Sequence, residues 1–134
     1  MLASSPAFSS FAVDDIDAAR RFYGQTLGLT VDEIPMPGGL LSIRLAGGGT
    51  VMIYPKPDFA PATFTVLSFP VDDLDSVVDQ LTSSGITMER YEGFEQDDKG
   101  IARGSDGPAI AWFTDPAGNV LAVLERTELP APSR

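Results

Sequence analysis

Apolar and polar positions alternate in two short stretches of this chain. In Phe8–Val13, Ser9, Phe11 and Val13 alternate with Phe8, Ser10 and Ala12; in Val66–Val71, Leu67, Phe69 and Val71 alternate with Val66, Ser68 and Pro70. A period of two predicts a strand in each place. An acidic pair follows each strand, Asp14-Asp15 and Asp72-Asp73. A carboxylate there can accept the orphan N–H groups of a helix start and sits at the positive end of its dipole, so both pairs read as N-caps rather than catalytic acids. Leu74, Val77, Val78 and Leu81 then lie at helical spacing, with Gly85 as the stop. Ile16, Ala19, Tyr23 and Thr26 or Leu27 mark a similar face, ended by Gly28.

The two stretches are copies. Phe11-Ala12-Val13-Asp14-Asp15-Ile16-Asp17 returns 58 positions later as Phe69-Pro70-Val71-Asp72-Asp73-Leu74-Asp75. Behind the first helix the pattern predicts strands over Thr30–Ile34, Leu40–Leu45 and Thr50–Tyr54; behind the second, over Ile86–Tyr91, Ala109–Thr114 and Val120–Leu124. The turns between them are rich in Gly and Pro, most plainly Asp115-Pro116-Ala117-Gly118-Asn119. The predicted fold class is α+β, two tandem βαβββ modules in one domain spanning residues 1–134. Module one covers about residues 7–57 and module two about 62–126, with a stiff proline-containing junction and a flexible tail at 127–134. One helix covers only one face of such a sheet, so two modules can share a cleft between their open faces.

Length and composition then narrow the chemistry. The chain has 134 residues and 43% hydrophobic content, enough for one packed domain. Nine basic against 19 acidic residues leave a net charge of −10, which argues against nucleic acid and anionic membranes as partners. The chain contains no His and no Cys. Imidazole general bases, Cys or Ser-His nucleophiles, thiolate or imidazole zinc sites and disulfides are all excluded. With neither an apolar leader nor a long apolar run, a cytoplasmic location is expected.

With the elements Val13-Asp14-Asp15-Ile16-Asp17, Phe22-Tyr23 with Leu27-Gly28-Leu29, and Asp115-Pro116-Ala117-Gly118-Asn119-Val120-Leu121 in this order, the chain resembles the vicinal oxygen chelate superfamily of glyoxalase I, bleomycin-resistance proteins and extradiol dioxygenases. The resemblance runs from about Phe8 to Arg126. It implies a divalent metal held in catalytic members by His, Glu or Gln on the first and last strands of each module. Carried across residue by residue, those positions are Phe8 and Val66 on the first strands and Ile53 and Ala122 on the last. All four are hydrocarbon, so the expected site holds neither metal nor other cofactor.

The expected ligand-binding set is Phe8, Ser10, Arg44, Ile53, Val66, Ser68, Trp112 and Ala122. Ser10 and Ser68, with Val51, Val120 and Leu124, follow by alternation from the four transferred positions, and Trp112 from the resemblance. Trp112 reads either as a stacking surface for a ligand or as a core or interface aromatic. Arg44 reads either as a clamp for a carboxylate or phosphate or as a solvated strand charge. Met52 and Tyr54 are expected under the first helix. Glu92–Pro108, acidic and glycine-rich, reads either as a cover for the cleft or as an ordinary solvated loop.

The function expected is that of a metal-independent small-molecule-binding protein of the glyoxalase/bleomycin-resistance type, without catalytic residues. An apolar, aromatic or cationic ligand would lie in the inter-module cleft, and a homodimer is the expected assembly. The alternatives are a glyoxalase-like enzyme (lyase, isomerase or dioxygenase) with a non-standard active site, and a scaffold subunit whose cleft takes a partner segment.

Overall fold

The computed structural model describes residues 1–104 and 107–126; the tail expected to fray lies outside the described residues, as do Ser105 and Asp106 of the long loop. The chain divides into two compact units, residues 1–63 with the turn Asp115–Asn119, and residues 64–114 with the segment from Val120.

The first unit is built on the first copy of the repeat. Strand β1 (Ser9–Val13) leads to helix α1 (Ile16–Arg21), and strands β2 (Thr30–Ile34), β3 (Leu40–Arg44) and β4 (Thr50–Pro55) follow. The sheet order is β1-β4-β3-β2, with β1 and β4 parallel and the other pairs antiparallel. Asp15 caps α1 as expected, its carboxylate accepting from the N–H groups of Asp17 at 3.0 Å and Ala18 at 3.1 Å. Past Arg21 the helix widens into a π-helical turn over Phe22–Thr26, where Leu27 N–H donates to Phe22 C=O at 2.9 Å. Adjacent Phe22 and Tyr23 are both buried there, their rings meeting edge to face at 5.1 Å.

The helix side of this sheet is apolar. Phe11 and Val13 of β1, Leu41 and Ile43 of β3, and Val51 and Ile53 of β4 are all buried. Phe11 meets the Tyr23 ring at 6.0 Å, which identifies this face as the one under the helix. The opposite face carries Ser10, Ala12, Ser42, Arg44, Met52 and Tyr54, half-buried or exposed.

The second unit repeats the plan with one strand fewer. Strand β5 (Thr65–Val71) precedes helix α2 (Leu74–Ser83), followed by β6 (Ile110–Thr114) and β7 (Val120–Glu125) in the order β5-β7-β6. β5 runs parallel to β7, as β1 does to β4. Asp73 caps α2 by accepting from Ser76 N–H at 3.1 Å. Leu74, Val78 and Leu81 form the buried face of α2, and Gly85 ends it at φ 92°, a left-handed value that favours glycine.

The strand expected over Ile86–Tyr91 does not form. Two short segments divide the edge of β6 instead. Glu89 N–H donates to Trp112 C=O at 2.8 Å, while Ala102 exchanges two bonds with Ile110 at 2.8 and 3.1 Å. Neither segment has enough of the edge to continue a ladder, so the second sheet has three strands where the pattern predicted four.

Candidate functional site

Across the second sheet Ser68 of β5 pairs with Ala122 of β7, and Ala122 pairs with Trp112 of β6. Lateral neighbours share a face, so these three expected site residues form one row. Ser68 is exposed, Ala122 fully buried, and Trp112 only 8% exposed. Around Trp112 and Ala122 pack Ala102, Tyr91, Ile110 and Val120. Val66 stands apart: Thr65 pairs with Val120 and Leu67 with Leu121, which leaves Val66 as the extra residue of a β-bulge.

Trp112 is covered by rings from the long loop. Tyr91 meets it edge to face with centroids 5.4 Å apart, and Phe94 meets it at 5.0 Å with the planes tilted by 54°. Burial, and after it the Glu89 charge, raise the Tyr91 hydroxyl above its ordinary pKa. Phe94 itself is 54% exposed. The loop around these rings is closed by Gln96, whose carboxamide accepts from Tyr91 N–H at 2.8 Å and donates to Glu89 C=O at 2.9 Å and Gly100 C=O at 2.8 Å.

Farther along, Asp97 turns the loop by accepting from the N–H groups of Lys99 and Ile101 and from the Arg103 guanidinium. Desolvation works against ionisation there, but these donors outweigh it and hold the Asp97 carboxyl below its ordinary range. Lys99 reaches Asp79 and Arg103 reaches Asp75 on α2, at 3.0 and 2.8 Å. Tyr91, Phe94 and Gln96 were missing from the expected set. Tyr91 ends the strand expected over Ile86–Tyr91, and Phe94 and Gln96 lie in the irregular acidic stretch after it, where nothing in the pattern says what they touch.

In the first unit Ser10 of β1 is exposed and pairs with Met52 of β4, which pairs with Ser42 of β3. Arg44 lies on the same open face, but its Nε donates to Asp32 Oδ2 at 2.8 Å. Both side chains of that pair are largely exposed, which weakens its attraction. Phe8 precedes β1 and is exposed. Ile53 does not join these residues. It pairs with Phe11 and Leu41 and is fully buried on the helix side, as Val51 is buried beside it. The open face of β4 presents Met52 and Tyr54, which were expected under the helix. Strand alternation allows either assignment until the pairing with β1 chooses one, because a one-residue slip exchanges the faces.

The first unit also holds a buried polar network absent from the expected set. Tyr23, at 0% exposure, donates its hydroxyl to Asp115 Oδ2 at 2.7 Å. Asp115 also accepts from Asn119, at Oδ1 from the backbone N–H at 2.8 Å and at Oδ2 from the side-chain Nδ2 at 3.2 Å. Asn119 Nδ2 donates to Ala12 C=O at 2.8 Å, and its Oδ1 accepts from Ala62 N–H at 3.2 Å. Burial, the Asp115 charge and the donated bond together raise the Tyr23 hydroxyl far above its ordinary pKa, so Tyr23 is a fixed donor and not an acid or base.

A resident metal does not fit the residues present. Phe8, Val66, Ile53 and Ala122 offer no donor atom, and Tyr54 offers a single phenol. Among the described residues no three Asp or Glu side chains group closely enough to hold an ion. Nor, among those residues, is any helix long and apolar enough to cross a membrane.

Two units that each pair the first strand in parallel with the last, around a helix capped by an Asp, define a glyoxalase-type fold. Residues 7–123 match the model of the Glyoxalase/Bleomycin resistance protein/Dioxygenase superfamily, and the chain belongs to that superfamily. The fold is similar to that of a glyoxalase family protein from Enterococcus faecalis, with 23% identity, a TM-score of 0.68, and 93% of this chain and 100% of that one covered. It is similar to TnmS3, an antibiotic binding protein from Streptomyces sp. CB03234, with 22% identity, a TM-score of 0.69, and 95% and 100% covered. FosX, a fosfomycin resistance protein from Listeria monocytogenes, aligns with 14% identity, a TM-score of 0.67, and 90% and 92% covered. No curated protein sequence matches the chain.

Proposed function

We propose that this chain is a metal-independent small-molecule-binding protein of the bleomycin-resistance type, taking an aromatic ligand against Trp112. The observation that carries the reading is the row Ser68–Ala122–Trp112, with Tyr91 edge to face and half-exposed Phe94 tilted against Trp112 at its end. Trp112 and Ala122 lie buried beneath those rings, so the row offers apolar and π surface, with one hydroxyl for orientation, once the covering ring moves. Phe8, Ser10 and Arg44 are proposed as ligand contacts of the first unit by itself, where Arg44 Nε donates to Asp32 Oδ2 at 2.8 Å. The net charge of −10 favours a cationic ligand over an anionic one. An antibiotic binding protein, TnmS3, has this fold, and sequestration over chemistry is proposed here because the transferred positions carry no metal-binding donor. In this reading the protein works as a cytoplasmic homodimer.

The sole tryptophan makes the test direct. Titration with a panel of aromatic and cationic compounds should shift or quench Trp112 emission for at least one of them, and Trp112→Phe should weaken that compound's binding at least tenfold. A panel that leaves emission and melting temperature unchanged would remove the reading. So would stoichiometric Fe, Mn, Ni or Zn in protein purified without chelator.

A further inference from the structure

Trp112 is not open to a ligand as it stands. At 8% exposure its ring is already covered, and the aromatic in contact with it that also faces solvent is Phe94, at 54%. The segment holding Phe94 is tied at both ends. Before it, Tyr91 N–H is bonded to Gln96 Oε1, and Glu89 is bonded in both directions, through its N–H to Trp112 C=O and through its C=O from Gln96 Nε2. Behind it, Gln96 bonds Gly100 and bridges to Ala102, which pairs with Ile110 of β6. Between these anchors Glu92, Gly93, Phe94 and Glu95 are all exposed, and none of them makes a side-chain hydrogen bond or ion pair among the described residues. Gly93 is at φ 89°, a left-handed value that glycine adopts without cost and that allows a short segment to re-aim.

We propose that Phe94 is the specificity-determining residue of this site: its ring stands where a planar aromatic ligand stacks on Trp112, and such a ligand binds by displacing it. The proposal rests on the reading that Trp112 receives the ligand. Displacement selects a class of ligand. A flexible aliphatic compound would lose the Phe94–Trp112 contact without replacing it, whereas a flat ring system restores a ring–ring contact in the same place. Glu92 and Glu95 flank the displaced ring and sit in solvent, so a positive charge on that ring system is favoured. The ligand class is a planar aromatic cation. Gln96 acts through the loop rather than on the ligand: it is the positioning residue that confines the movement to four positions.

The experiment compares the wild-type chain with Phe94→Ala, Phe94→Leu and Trp112→Phe. Acrylamide quenching of Trp112 reads the cover in the free protein, and equilibrium dialysis with N-methylquinolinium reads binding. In Phe94→Ala, quenching should rise at least twofold, and N-methylquinolinium should bind about three- to tenfold tighter, because the aromatic contact no longer competes. Phe94→Leu keeps the apolar bulk and the fold, and should move both quantities in the same direction by less. Trp112→Phe should weaken the probe. Tighter binding and greater quenching together support displacement. Weaker or unchanged binding in both Phe94 variants, while Trp112→Phe still weakens the wild-type interaction, overturns displacement alone and leaves Trp112 as the binding surface. Binding that is undetectable in the wild type and in both Phe94 variants overturns displacement and the reading beneath it.

Discussion

The hydroxyl of Tyr23 donates to Oδ2 of Asp115 at 2.7 Å, although the two residues are 92 positions apart. Both are buried. A buried carboxylate is tolerable only when it is supplied with donors, and Asp115 has three: the Tyr23 hydroxyl, Asn119 N–H and Asn119 Nδ2. Removing one leaves an unmet charge. Tyr23→Phe should therefore destabilise the protein by about 1.5–3 kcal/mol, the usual range for a hydrogen bond to a charged group. Urea denaturation should show it as a lower midpoint at unchanged slope; an unchanged midpoint would mean the bond adds nothing.

The same residue sets a pH dependence. Burial and Asp115 raise the Tyr23 hydroxyl in the folded protein, while the unfolded chain titrates it near pH 10. Below about pH 10 both states keep the proton, and the contribution is fully present. Above it the unfolded chain loses the proton and the folded one retains it, so stability falls with rising pH by up to about 1.4 kcal/mol per unit. Tyr23→Phe should flatten that alkaline decline, and denaturation curves between neutral and strongly alkaline pH would measure it. A decline as steep in the variant as in the wild type would assign it to other groups.

The two N-caps differ in how many N–H groups they satisfy. Asp15 accepts two and Asp73 accepts one. Replacing either with Ala should cost about 0.5–2 kcal/mol, with Asp15→Ala nearer the upper end. Replacement by Asn should recover most of each loss. Equal costs at the two sites would show that the second bond to Asp15 contributes nothing.

The ion pairs that join the long loop to α2 should matter least. Lys99 to Asp79 and Arg103 to Asp75 are short, but all four side chains are well exposed. Solvent screening and side-chain entropy leave such pairs worth less than about 1 kcal/mol. Lys99→Ala should shift the melting temperature slightly at low salt, and the shift should vanish near 1 M salt. A large, salt-independent shift would show a packing role for the Lys99 stem.

The local elements of this chain were legible because local physics makes them. β2 forms over the residues the alternation marks, β3, β4, β6 and β7 within a residue of them, and both helices begin directly after the second Asp of each pair. Ile86–Tyr91 was not legible, since its apolar pattern fits a strand and only competition for the β6 edge denies it a ladder. Ile53 entered the expected set by residue-by-residue transfer from the resemblance, and a one-residue difference in register decides which face of β4 it occupies. Alternation separates the two faces of β4 without saying which one α1 covers.

The sequence by itself determined the α+β class, the repeat, the capped helices, and the absence of any imidazole or thiol chemistry, because each follows from residue identity, from local spacing, or from the return of one local pattern 58 positions later. The tertiary structure alone decided what lies on Trp112, which face carries Tyr54, and that Tyr23 answers to Asp115. Those are contacts between residues distant along the chain. Their partners are chosen by sheet register and by the closing of loops, neither of which any local pattern encodes.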